Sequence, residues 1–130
     1  MKNLLKFKPL AVTAFALALF GTGALIGANN FGKPKSVIHV VTVKWKPEAT
    51  QQQIDAAIAG VEKVAADYSG IKNVWVKTLK VQGEGYKNAF VMEFASEDAL
   101  KKYAESPAQK EWYKVYLPIR AESTTHDITN

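Results

Sequence analysis

Between Leu10 and Ala28 the chain carries no charged residue and shows no polar face, whereas beyond Asn29 apolar positions recur at the intervals of strands and helices. The segment VIHVVTVKW, Val37 to Trp45, is rich in β-branched residues and predicts a strand. One of its faces presents Val37, His39, Val41, Val43 and Trp45, the other Ile38, Val40, Thr42 and Lys44. Pro47 and Glu48 end it. Thr50, with Gln53 three residues on, has the spacing of a capped helix start. Ile54, Ile58, Val61, Val64, Ala65 and Tyr68 then repeat at helical spacing, and Gly70 supplies the stop. Glu62 and Asp67 fall on the solvent side of that helix.

A second strand is predicted over Val74 to Val81, with Val74, Val76, Thr78 and Lys80 on one face and Trp75, Lys77, Leu79 and Val81 on the other. Gly83-Glu84-Gly85 turns the chain into a third strand, Ala89 to Phe94, with Phe90, Met92 and Phe94 on one side. A strand rather than a helix follows the two glycines, so the turn is no phosphate cradle. Ser96 caps a short helix whose inward stripe is Leu100, Tyr103 and Ala104. Ser106-Pro107 interrupts it, AQKEWYKVYL adds a further helical segment, and Ile119 to Asp127 reads as a last strand after Pro118. The order is that of an α+β, ferredoxin-like βαββαβ protomer. Helices of such a protomer cover one face of the sheet, yet Val37 to Val43 is apolar on both. A second copy packed sheet to sheet would shield the other face, which predicts a homodimer closed as a dimeric α+β barrel.

Lys2, Lys6 and Lys8 precede the uncharged run, giving a basic region and an apolar region in the order of an export signal. Residues 1–28 are therefore expected to act as a signal peptide or N-terminal membrane anchor. The expected domain spans residues 37–128, after a linker over Asn29 to Ser36, which is rich in Asn, Gly, Pro and Lys. Thr22 and Ala24 form a small-x-small pattern that places cleavage before Leu25. An uncleaved run approaches the roughly 20 residues that cross a bilayer as helix. The expected location is exported, periplasmic or extracellular, or else tethered to the membrane through residues 10–28. The formal charge of +5 falls by the three leading lysines to +2, and the remaining charges alternate in sign, so no basic stripe for nucleic acid is present. With no cysteine among 130 residues, disulfides, thiol nucleophiles and Cys-ligated metals are excluded. A domain this small buries little surface alone, which adds to the expectation of self-association.

The stretches IHVVTVKWKPEAT and NAFVMEFASEDALKKYAESPAQKEW resemble the stress-responsive A/B barrel domain family, over roughly Ser36 to Asp127. The markers are His39, Lys44-Trp45, the run from Phe94 through Ala99 to Tyr103, Ser106-Pro107-Ala108, and Asp127. The resemblance implies a ferredoxin-like protomer and a homodimer with a central barrel. Most of the family has no defined activity, and a few relatives cyclise polyketides in a pocket between sheet and helices. By that resemblance His39 and Tyr103 match cyclase residues, while both imidazoles of the family's His-Pro-Ala-His pattern are missing, replaced by Ser106 and Gln109. This departure argues against a cyclase.

The candidate catalytic residues are His39, as a general base, and Tyr103, polarising a carbonyl or orienting His39. The structural alternatives are a packed histidine satisfied by backbone or a tyrosine, and a packed tyrosine whose hydroxyl finds a partner. Gln109 can orient a ligand but cannot shuttle a proton. The candidate ligand-binding set is His39, Trp45, Tyr103, Gln109 and Trp112. Trp75, Tyr113 and Tyr116 are further aromatics able to line a cavity for a small apolar or aromatic molecule, although Trp75 and Trp112 read first as core or interface residues. Lys101, Lys102, Lys110 and Lys114 read as solvated helix surface. No metal or cofactor is expected, because His126 and Asp127 are adjacent strand residues pointing to opposite faces and no third ligand is placed by spacing. Three functions fit: a dimeric domain holding a small molecule or none, a cofactor-free enzyme based on His39, and a module that docks an envelope protein.

Overall fold

The computed structural model describes residues 31–130, and the expected signal or anchor at residues 1–28 lies outside them. Residues 34–130 form one compact unit. Its elements are β1 (Val37–Trp45), α1 (Gln51–Asp67), β2 (Ile71–Trp75), β3 (Asn88–Phe94), α2 (Glu97–Tyr103), α3 (Pro107–Tyr116) and β4 (Arg120–Ile128). The sheet is antiparallel throughout, in the order β2-β3-β1-β4, so the expected ferredoxin-like βαββαβ arrangement is the fold of this chain.

Local chemistry starts each helix where the sequence predicts. The Thr50 hydroxyl accepts from the Gln53 N–H at 3.2 Å and the Gln53 side chain accepts from the Thr50 N–H at 2.9 Å, a reciprocal cap. Ser96 and Ser106 accept from the Ala99 and Gln109 N–H groups in the same way, and Pro107 occupies the first turn of α3. The core lies between the helices and one face of the sheet: Val37, Val41, Val43, Phe90, Met92 and Phe94 meet Ala57, Val61 and Val64 of α1, Tyr103 of α2, and Trp112 and Tyr116 of α3.

Two boundaries differ from the sequence reading. The second strand runs over Ile71–Trp75, not Val74 to Val81, and residues 76–87 form an irregular connection. The Thr78 hydroxyl bonds both the N–H and the C=O of Ala89 at 2.9 Å, taking the groups a longer ladder would need. The last strand extends to Ile128.

Register irregularities decide which way two side chains face. A shift between Ile71 and Asn73 pairs Val74 with Met92 on the core side and Trp75 with Val91 on the outer face. Trp75 is thus 53% exposed, and within this protomer it is not core. A second shift, between Lys44 and Trp45, pairs Lys44 with Glu122 and Trp45 with Arg120. Strict alternation from Ser123 would send Arg120 to the outer face; the extra residue turns it to the helix side.

Candidate functional site

A cavity of about 310 Å³ opens between the helix-facing side of β1 and β4 and the α2–α3 corner. β1 contributes His39 and Val41, β3 contributes Phe90, and β4 contributes Arg120, Ser123 and Thr125. The helices contribute Leu100, Lys101, Tyr103, Gln109, Trp112, Tyr113 and Tyr116. Four of the five expected ligand-binding residues meet here: His39, Tyr103, Gln109 and Trp112. Trp45 does not. It lines a separate open depression with Pro47 and Ile54, and its indole N–H donates to Asn88 Oδ1 at 2.7 Å.

His39 is held edge-on to Phe94, with ring centroids 5.8 Å apart. Its Nδ1 lies 2.6 Å from Asp127 Oδ1, across the ladder that pairs the two residues directly. Its nitrogen is therefore satisfied neither by backbone nor by a tyrosine; the partner is a carboxylate. In the neutral ring this contact places the proton on Nδ1 and leaves Nε2 as an acceptor, with no partner among the described residues. Asp127→Ala is expected to shift the neutral ring toward the Nε2–H tautomer, read from its ¹⁵N chemical shifts. Because the pair is partly exposed, stability should change by less than about 1 kcal/mol. An unchanged tautomer would mean that Asp127 does not orient His39.

Tyr103 is 3% exposed, and its hydroxyl, like that of Tyr116, is buried without a hydrogen-bond partner. Burial pushes the Tyr103 hydroxyl well above the ordinary phenolic pKa; Tyr113 adds to this and Gln109 opposes it, without making a bond to the Tyr103 oxygen. Tyr103 is thus a neutral O–H donor at any physiological pH. Gln109 is locked: its Oε1 accepts from the Glu105 N–H at 2.8 Å and its Nε2 donates to Tyr113 Oη at 3.1 Å. It braces the α2–α3 corner and orients Tyr113. Trp112 closes the floor, stacked on Tyr116 at 4.4 Å and donating its indole N–H to the Ala57 carbonyl at 2.8 Å.

The sequence reading did not pair Asp127 with His39, nor place Arg120 at the cavity. The first was open to it in principle, since β1 and β4 run antiparallel and the two residues sit at matching ends. The second depends on the bulge. Among the described residues no three His, Asp or Glu side chains converge as metal ligands, and no helix is long and apolar enough to cross a membrane.

The fold that carries this cleft has counterparts among solved structures. The hydroxynitrile lyase of Passiflora edulis superposes with a TM-score of 0.65 at 23% identity, over 73% of this chain and 93% of its own. A dimeric ferredoxin-like protein of unknown function from Thermobifida fusca gives 0.64 at 19% identity, over 78% of this chain and 97% of its own. A cofactor-independent oxygenase from Streptomyces nogalater gives 0.59 at 11% identity, over 74% and 93%. At these identities the likeness shows the fold. No curated protein matches the chain. The sequence profile of the stress responsive A/B barrel domain matches residues 37–130, and with fold and profile in agreement the chain belongs to that family.

Proposed function

We propose that the cavity binds a small aromatic or otherwise apolar molecule through a hydrogen-bond acceptor that meets the Tyr103 and Tyr116 hydroxyls. The observation that carries this reading is the pair of buried, unpartnered hydroxyls beside a 310 Å³ space walled by aromatic rings. A buried donor without an acceptor costs about 1–3 kcal/mol, which a core selected for stability alone would avoid with phenylalanine. Pockets that hold organic ligands begin at about 300 Å³, so a compound of one or two rings suits the volume.

The test is a titration with an aromatic ketone such as acetophenone, followed through the Trp112 and Tyr116 ring resonances. Tyr103→Phe should weaken binding about tenfold, a loss of about 1.4 kcal/mol, while leaving the unligated domain equally stable or more stable by up to about 1 kcal/mol. Rings that do not respond to any small aromatic compound would sink this reading.

The His39–Asp127 contact favours a second reading on the same ligand, cofactor-free proton transfer. Nε2 of His39 would take a proton made acidic by a carbonyl that Tyr103 polarises, and Asp127 would stabilise the resulting imidazolium. Deuterium exchange at the α-carbon of a bound ketone, lost in His39→Ala with the helical content unchanged, is its signature.

Two further parts of the reading concern assembly and delivery. The outer sheet face presents Ile38, Val40, Val91 and the exposed Trp75 and Ile128, and relatives of this fold are described as dimers. A homodimer joined through that face should sediment at twice the chain mass, and Trp75→Glu should halve it. Residues 1–28 have the charge and hydropathy of an export signal or anchor, which fractionation and the mature N-terminus would test.

A further inference from the structure

Arg120 lines the cavity on the side away from His39, with its guanidinium over the Tyr116 ring at 5.4 Å. It is half-buried, pairs with no carboxylate among the described residues, and makes one long contact, to Ser123 Oγ at 3.4 Å. A guanidinium drawn out of water usually has a counter-charge, because burying an unpaired ion is costly. The cavity lining contains two cations, Arg120 and Lys101, and no carboxylate; the nearby Asp127 is turned to His39 Nδ1.

The neutral groups beside Arg120 are donors as well. The Tyr116 hydroxyl is unpartnered, and Tyr113 already accepts from Gln109 Nε2, which leaves its own O–H to donate elsewhere. Three donor-bearing residues, one of them charged, therefore line one end of the aromatic cleft. Ser123 pairs with Val43, four residues along β1 from His39, so this end stands roughly 13 Å from the imidazole by strand rise.

We propose that the bound molecule is an aromatic carboxylate, its anionic group on Arg120 and the Tyr113 and Tyr116 hydroxyls and its ring against Phe90 and Trp112. A guanidinium offers paired N–H groups matched to the two oxygens of a carboxylate. A primary amide of the same shape would turn an NH₂ toward those donors and leave one of them unmet. This proposal rests on the ligand-binding reading above and names the ligand class that reading leaves open.

The experiment compares benzoate with benzamide, and 2-naphthoate with 2-naphthamide, by calorimetric titration of the full-length chain at neutral pH. The acid of at least one pair should bind ten-fold or more tightly than its amide. Arg120→Gln should bring the acid down to the amide's affinity, and Arg120→Lys, which keeps the charge, should preserve part of the preference; circular dichroism of both variants controls for folding. Equal binding of acid and amide, or a preference that survives Arg120→Gln, overturns the carboxylate proposal and leaves the cavity-binding reading standing. Failure of all four compounds to bind overturns both.

Discussion

Trp112→Ala is expected to lower the unfolding free energy of the domain by about 4 kcal/mol, in the range of large aromatic-to-alanine changes in cores. Three kinds of contact disappear together. The indole is 6% exposed, stacks on Tyr116, and meets Phe90 edge-on at 5.6 Å. Its N–H also makes the hydrogen bond that ties α3 to the Ala57 carbonyl of α1, and the substitution removes that tie between the two helices. Small domains are stable by only about 5–15 kcal/mol, so the variant should sit near the edge of folding. Urea denaturation at 25 °C checks this. A loss under about 1.5 kcal/mol would mean that α3 is held by something other than this residue.

The second large effect has the opposite sign to what helix propensity suggests. Gly60 sits in the middle of α1, where exchanging glycine for alanine ordinarily stabilises by about 1 kcal/mol. Here a Cβ would stand 2.5 Å from Trp112 Cδ1 and 2.9 Å from its Nε1. The indole cannot swing away, since it is bonded to Ala57 on the preceding turn of α1 and sandwiched by Tyr116. Gly60→Ala should therefore destabilise by about 2 kcal/mol, the usual cost of overpacking with a distorted hydrogen bond. The pair offers an internal control: made in a Trp112→Ala background, Gly60→Ala has open space before it and should become stabilising. If the sign stays the same in both backgrounds, the close approach of helix to indole is not what Gly60 provides.

Both predictions bear on function, because Trp112 is at once core and cavity wall. A binding defect in Trp112→Ala would be uninterpretable without its stability, whereas Tyr103→Phe and Arg120→Gln separate the two. Tyr103→Phe removes an unsatisfied group and should not cost stability. Arg120 is half-buried at a cavity edge, and its contacts within the chain are few.

The candidate site was legible in part. His39, Tyr103, Gln109 and Trp112 were recoverable from strand and helix periodicity and from the family resemblance, because each lies on the apolar face of a regular element. Trp45 shares the inward face of β1, yet it stands beyond the cavity at the strand's far end, and a two-residue period specifies a face but not a place along it. The partner of His39 needed the β1–β4 register, which joins residues at opposite ends of the domain's sequence.

What the chain's own order of residues determined was the set of elements and their inward faces: capping side chains, punctuating prolines and glycines, and apolar spacing act over a few residues, so they are written locally. The tertiary structure alone decided that Thr78 ends the second strand by occupying Ala89, that Trp75 faces outward, and that Arg120 turns into the cleft. Each of these turns on a pairing between distant segments, where one extra residue in a ladder reverses every side chain after it, and no pattern within a single strand records that shift.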